Sequence, residues 1–93
     1  MKIPKELKIL GHRYKVKKHR QLFEGSGASG SCCTNLLKIK VGSNFPTSRR
    51  DESLLHEIIE ALKFHLEIKL EHPDLSALSE GLYQVINSNK LKF

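Results

Sequence analysis

Residues 51–66 read "DESLLHEIIEALKFHL", and their spacing decides how the rest of the chain is interpreted. Apolar side chains recur every three or four positions, which is the spacing of one face of an α-helix. These are Leu54, Leu55, Ile58, Leu62 and Leu66. The pattern predicts a long helix from about Arg49 to Leu70. Pro73 ends it, because the residue before a proline disfavours helical geometry.

A second helix is predicted from about Leu75 to Asn87, with Asp74 as its cap. Two shorter segments precede the helices and alternate between apolar and charged residues, as half-buried strands do. Residues 7–16, "LKILGHRYKV", predict a β-hairpin that turns at Gly11-His12. Residues 35–42, "NLLKIKVG", predict a third strand.

The order of these elements predicts an α+β fold, in which a small three-stranded β-sheet is packed with two α-helices. A chain of 93 residues fits one domain, covering residues 1–93. Its parts are a β-rich basic part at 1–45, a helical part at 46–89 and a polar tail at 90–93. Between the predicted strands, residues 23–33, "FEGSGASGSCC", lack periodicity and indicate a loop or the entry to a strand.

The composition favours a cytoplasmic protein that does not act in a membrane. No apolar run approaches the roughly 20 residues of a membrane helix. The first ten residues, "MKIPKELKIL", lack the continuous apolar core of a signal peptide. The two cysteines, Cys32 and Cys33, are adjacent, which suits free thiols in a reducing compartment better than a stabilising disulfide.

Charge is divided unevenly along the chain. Residues 1–50 hold 12 Lys or Arg and 2 Asp or Glu, whereas residues 51–80 hold 2 Lys and 8 Asp or Glu. The basic half could attract nucleic acid or another polyanion. The acidic half suits a cation, although a charged face usually needs no ligand.

The segment "HEIIE" at residues 56–60 carries the most specific chemistry in the chain. His56 and Glu60 are four positions apart and lie one turn apart on one helical face, where they can share a metal ion. Glu57 points elsewhere and can reach a metal-bound water, which is the division of labour in HExxH helices. The alternative to a metal site is that these residues form a solvent-facing polar face of the helix, stabilised by side-chain pairs such as His56–Glu60.

A metal site of this kind needs a third ligand from elsewhere in the chain. His72 is preferred because it lies at the break between the helices. Glu80 is the alternative, although the periodicity of its helix points it to solvent. His65 is expected at the edge of the core, and Tyr83 is expected to pack in it unless its hydroxyl reaches the site as an oxyanion donor.

Residues 53–89, "SLLHEIIEALKFHLEIKLEHPDLSALSEGLYQVINSN", resemble the C-terminal half of small zinc metallopeptidases of phages and prophages, which are minimal zincin-like proteins. The resemblance extends to "KIPKELKILGHRYKVK" and "GSCCTNLLKIKVG", so it covers nearly the whole chain. It implies that His56 is the first metal ligand and Glu57 the general base. Glu60 stands where the family has its second histidine, so the chain is an HExxE variant of HExxH.

The resemblance makes Zn the expected metal, although two histidines and one carboxylate also suit Mn, Fe or Ni. A carboxylate in place of an imidazole weakens the pull of the metal on a bound water. Three functions follow as hypotheses. The first is a metal-dependent hydrolase that acts on a peptide or protein. The second is a non-catalytic zincin-like module that binds metal or protein. The third is a nucleic-acid binder that uses the basic hairpin, with His12 and Tyr14 stacking on bases.

Overall fold

The computed structural model describes residues 3–20 and 29–91. The predicted α+β class is confirmed, with four strands rather than three. The elements in chain order are β1 (Glu6–Ile9), β2 (His12–His19), β3 (Gly30–Cys33), β4 (Lys38–Gly42), α1 (Thr47–Leu66) and α2 (His72–Ser88). Residues 21–28, which hold most of the predicted glycine-rich loop, lie outside the described residues.

The strands form one mixed sheet in the order β1-β2-β4-β3. The outer pairs, β1–β2 and β3–β4, are antiparallel, and the central pair β2–β4 is parallel, with Val16 opposite Ile39. β3 is the strand that the sequence left open as a loop or a strand entry. Its Gly, Ser and Cys residues give no alternation to detect, and the pairing with β4 supplies its hydrogen bonds.

The predicted hairpin forms, but its turn lies one residue earlier than expected. His12 pairs with Ile9 inside the sheet, so the two turn residues are Leu10 and Gly11. Leu10 has a φ of 56°, which lies in the left-handed region. Two-residue hairpin turns need such angles, and Gly at the second position relieves the rest of the constraint.

One face of the sheet packs on α1 and forms the core. Tyr14, Val16, Ile39 and Val41 project from the two central strands and are buried with Leu54 and Ala61 of α1. α2 packs against α1 and contacts none of the described strands. It contributes Leu75, which is fully buried. The two helices therefore lie on one side of the sheet, with α1 packed on the sheet and α2 packed on α1.

Both predicted helix bounds in the connection between α1 and α2 were wrong. α1 ends at Leu66, because Glu67 adopts a left-handed φ of 53° and the Ile68 amide donates to the Lys63 carbonyl at 3.0 Å. α2 begins at His72, three residues before the predicted start at Leu75. Pro73 is tolerated there because the first turn of a helix does not need its N–H. His72 is therefore the first helical residue and does not lie in a loop.

Within the described part of the chain, neither helix is both long enough and apolar enough to cross a lipid bilayer.

Candidate metal and proton-transfer site

A cleft of about 580 Å³ opens where α1, α2 and the start of β3 meet. α1 contributes His56 and Glu57 to its wall, α2 contributes His72 and Glu80, and β3 contributes Gly30. The cleft therefore contains three of the four residues that the sequence nominated, together with the alternative Glu80. Glu60, the fourth, is not in its wall.

The imidazoles of His56 and His72 lie side by side, with ring centroids 5.3 Å apart and planes inclined by 59°. A histidine nitrogen binds zinc at about 2.0–2.1 Å, and the ring centre lies ~1 Å further out, so two rings on one tetrahedral ion have centres about 5 Å apart. The observed spacing suits a shared ion. The pair forms because α2 packs against α1, which brings the first residue of α2 beside the third turn of α1.

His56 is half-buried, and this burial lowers the pKa of its imidazole below the usual value. The Glu60 carboxylate opposes the shift and the neighbouring His72 adds to it. An imidazole with a lowered pKa is neutral at pH 7 and keeps a lone pair for a metal or a proton.

Glu60 lies one turn beyond His56 but lines a different cleft of about 570 Å³, together with Cys32 and Phe64. Its carboxylate is still close enough to influence the pKa values of His56 and Glu57. Among residues 3–20 and 29–91, no three or more His, Cys, Asp or Glu side chains are arranged to hold a metal ion. The structure thus brings the two predicted imidazole ligands together and leaves the predicted carboxylate ligand beside the neighbouring cleft.

Glu80 lies on the same side of α2 as His72, two turns further along, with Ser76 between them. The periodicity of α2 pointed Glu80 to solvent. The residue is exposed, as expected, but the cleft between the helices is itself open to solvent on this side. Glu80 is therefore a second carboxylate in the wall of the cleft that contains the imidazoles.

Glu57 is buried, with 7 % of its surface exposed, and it lies against the start of β3. A Cβ on Gly30 would lie 3.1 Å from the Glu57 Oε2 atom and 3.0 Å from the Lys40 carbonyl oxygen, so a glycine is what lets the carboxylate come this close to the strand. Burial raises the pKa of Glu57 to about 7, and the negative charge of Glu60 adds to the shift. A carboxyl group with this pKa exchanges a proton readily near neutral pH.

The cysteines have different surroundings. Cys32 points to the core side of the sheet, and burial raises the pKa of its thiol to about 12, with further contributions from Glu57 and Glu60. A thiol with this pKa is not a nucleophile at neutral pH. Cys33 is exposed on the opposite face.

Two other histidines form a separate cluster that the sequence did not reveal. The Tyr14 hydroxyl and the His65 Nε2 atom share a hydrogen bond of 2.6 Å, and the His12 ring stacks on His65 at 4.5 Å. His65 is half-buried, close to the predicted core edge. Tyr14 is fully buried, so it cannot stack on nucleic-acid bases as the hairpin hypothesis required. Alternation places His12 and Tyr14 on one face of β2, but no local signal indicates that His65 is their partner.

Tyr83 is half-buried and lines a small pocket at the end of α2 with Ile86 and Leu91, outside the wall of the main cleft. The structure therefore gives it no part in the site.

Comparison of the chain with models of protein families, with curated proteins and with solved structures found no match.

Proposed function

We propose that the protein is a metal-dependent hydrolase of the zincin-like type, most simply a minimal metallopeptidase. The observation that supports the proposal is the combination in one cleft of two neighbouring imidazoles, His56 and His72, with a buried carboxyl group, Glu57, whose pKa is near 7. Paired ligands beside a proton acceptor of matched pKa are the features that metal-assisted hydrolysis requires.

His56 and His72 would hold the metal, for which zinc is the first choice and Mn, Fe or Ni are alternatives. Glu60 is the proposed third ligand, and Glu80 is the competing carboxylate because it shares the cleft with both imidazoles. When bound, the metal would acidify a water molecule and polarise a carbonyl oxygen.

Glu57 acts in this proposal as the general base. Its carboxylate accepts a proton from the attacking water and returns it to the leaving amine, which a group with a pKa of about 7 can do in both directions. Burial raises this pKa, and Gly30 contributes to the role of Glu57 by allowing β3 to lie close to its carboxyl group.

A peptide is the preferred substrate class because β3 ends the sheet beside the cleft. β4 occupies one side of β3, and among the described strands no other strand pairs with it. An extended peptide could add to this free edge through backbone hydrogen bonds, which would place a peptide bond near Gly30 and Glu57.

Metal binding provides the first test. Equilibrium dialysis against Zn²⁺ followed by elemental analysis should find one ion per chain, with a large loss of affinity in His56→Ala and in His72→Ala. His12→Ala is the matched control, because His12 belongs to the other histidine cluster and should not affect zinc content. A comparison of Glu60→Gln with Glu80→Gln identifies the carboxylate ligand. Wild-type protein that takes up no zinc would contradict the proposal.

Catalysis is tested separately with Glu57→Gln on the zinc-loaded protein. The variant should retain the metal and lose peptide hydrolysis by 10²-fold or more, the usual contribution of a general base being ~10²–10⁴. Hydrolysis that persists undiminished in this variant would remove Glu57 from the mechanism.

A second candidate function is a zincin-like module that binds metal or protein without catalysis. It is favoured by the position of Glu60, whose carboxylate lines the neighbouring cleft. Under this reading zinc binds with His56 and His72, no peptide is hydrolysed, and Glu57→Gln changes neither metal affinity nor partner binding.

The proposal includes a cytoplasmic location. Cys32 and Cys33 are both free thiols, and as neighbours in a strand they point to opposite faces of the sheet. A reducing compartment would maintain this state.

A further inference from the structure

The face of the sheet opposite α1 is covered by none of the described elements and is strongly basic. Residues that alternate with the buried core residues project from it, and we call this surface the basic sheet face. Its cations are Lys8, Arg13, Lys15, Lys17, Lys38 and Lys40. Glu6 is the one acidic side chain that the described strands place there, and it pairs with Arg13 at 3.3 Å. Among residues 3–20 and 29–91, the five lysines of this face therefore have no carboxylate partner.

The sheet register places four of these lysines opposite one another, in two pairs. Lys15 is opposite Lys38 and Lys17 is opposite Lys40 across the parallel pair β2–β4. On its other side Lys15 is opposite Glu6, whose carboxylate pairs with Arg13. Like charges at opposed positions destabilise a sheet, by roughly the 0.2–1 kcal/mol that an opposed pair is worth. Two such pairs side by side work against folding, which indicates that something other than stability favours them.

Protection of sheet edges does not account for this arrangement. Lysines that prevent edge-to-edge aggregation belong on outer strands. Here β2 and β4 are the two central strands, and they carry Lys15, Lys17, Lys38 and Lys40. The outer strand β3 carries Ser31 and Cys33 on this face and no lysine.

The chemistry of the face identifies the kind of partner. Among the described residues, no aromatic side chain lies between these lysines: Tyr14 is buried on the other side, and His19 and Phe45 are at one end of the face, where Phe45 packs against Gly42. The described strands also place no large apolar side chain there that could insert into a lipid surface. A dense array of lysines alone suits a partner with dense, fixed negative charge, and duplex DNA carries one charge per ~1.7 Å of its axis.

We propose that the basic sheet face binds the phosphate backbone of duplex DNA without sequence preference. Lysines along one strand face are about 6.6–6.8 Å apart and neighbouring strands about 4.8 Å, so the array presents its charges in two dimensions, as neighbouring phosphates do. The cleft with His56 and His72 lies between the helices and β3, away from this face, so DNA binding is independent of the hydrolase function. Binding should be weak and salt-dependent, with a Kd of about 10⁻⁴–10⁻⁶ M at physiological salt.

The test is fluorescence anisotropy with a labelled duplex DNA at 50 mM and 200 mM salt. Five phosphate contacts predict that affinity falls roughly 500-fold between these concentrations. The variant Lys15→Gln/Lys17→Gln/Lys40→Gln should bind more weakly at 50 mM and lose only about 10-fold over the same range. The matched control Lys63→Gln/Lys69→Gln/Lys90→Gln removes the same charge from the helical side and should keep the wild-type salt dependence.

Two further variants keep the result interpretable. Replacement of the same three lysines by arginine preserves charge and should retain binding. His56→Ala should bind DNA like the wild type, which separates this surface from the cleft. Folding is checked by circular dichroism, and the glutamine variant should remain folded because it relieves repulsion.

The proposal is overturned if duplex DNA does not bind, or if the face variant and the helical control lose affinity equally, since net charge alone would then explain binding. It is also overturned if single-stranded DNA, or vesicles with anionic lipid, bind more tightly than the duplex and remain bound by the face variant.

Discussion

Glu57 occupies a position where an apolar side chain would stabilise the fold more. It is buried between α1 and the β3 backbone, and the removal of its carboxyl group from water raises its pKa to about 7. A buried carboxyl group whose ionisation destabilises the folded protein is typical of residues that take part in catalysis.

We expect Glu57→Gln to stabilise the metal-free protein at alkaline pH. The folded protein keeps the Glu57 proton up to a pKa of about 7, whereas the unfolded chain loses it near the ordinary glutamate pKa of 4.5. The contribution of Glu57 to stability is therefore fully present below pH 4.5 and is lost as pH rises through its folded pKa of about 7. The variant should gain about 1–3 kcal/mol at pH 8 and little at pH 4.5, as measured by urea unfolding.

Glu80→Gln is the control for this measurement, because Glu80 is exposed in the same cleft. A pH-independent effect of Glu57→Gln, or an equal effect of Glu80→Gln, would contradict the assignment of the stability loss to the buried carboxyl group.

Gly30→Ala should destabilise the protein by about 1–3 kcal/mol, because the new Cβ would press on the Lys40 carbonyl and on the Glu57 carboxylate. Gly81→Ala gives the matched comparison: Gly81 lies inside α2 with no atom within 4 Å of an added Cβ, so it should stabilise by ~0.5–1 kcal/mol. Thermal unfolding measures both. Equal shifts for the two variants would mean that Gly30 is not at a close contact.

At the level of elements, the sequence predicted the helices and strands that have a periodic apolar pattern, and it did not predict the features that depend on tertiary contacts. The apolar stripe of α1 and the alternation of β2 and β4 were visible because burial imposes those periods. β3 was left undecided, because its residues Gly30–Cys33 are small and its place depends on pairing with a distant strand. The end of α1 was wrong because the left-handed Glu67 has no side-chain signal of its own.

The candidate site divides in the same way. His56 and Glu57 were found from a local motif, and His72 from its place near a proline. That Glu60 lines a different cleft from His56 was not predictable, because that cleft includes Cys32 of β3, a strand that the sequence left undecided. The burial of Glu57 likewise depends on β3, whose position the sequence did not give.

The junction between α1 and α2 supplies a prediction at this scale. Glu67 has a φ of 53°, which favours glycine, whereas Glu71 has an extended conformation with φ −69° and ψ 151°. Glu67→Gly should therefore stabilise by roughly 0.5–1 kcal/mol. Glu71→Gly removes the same charge from the same connection and should destabilise or have little effect. Thermal unfolding decides, and a Glu67→Gly variant that is less stable than wild type would contradict the capping role.

At the scale of the whole molecule, the basic sheet face and the acidic helices are on opposite sides of the core. Added salt should stabilise the protein by screening the opposed lysines. Lys17→Gln, which removes one member of such a pair, should stabilise by a few tenths of a kcal/mol at low salt and show less dependence on salt than wild type. Urea unfolding at 10 mM and 200 mM NaCl compares this variant with Lys69→Gln, for which neither effect is expected.

The parallel pairing of β2 with β4 has a consequence for how the chain reaches its native state. Lys15 meets Lys38 across a gap of 23 positions, and Tyr14 meets His65 across 51, so neither contact can form by extension of a local hairpin. The loop-closure entropy of these contacts makes such topologies slow to assemble. During synthesis, the first hairpin would emerge from the ribosome well before β4 and α1. Until those elements pack on it, Tyr14 and Val16 would be exposed to solvent, and a chaperone would find most exposed apolar surface to bind in this interval.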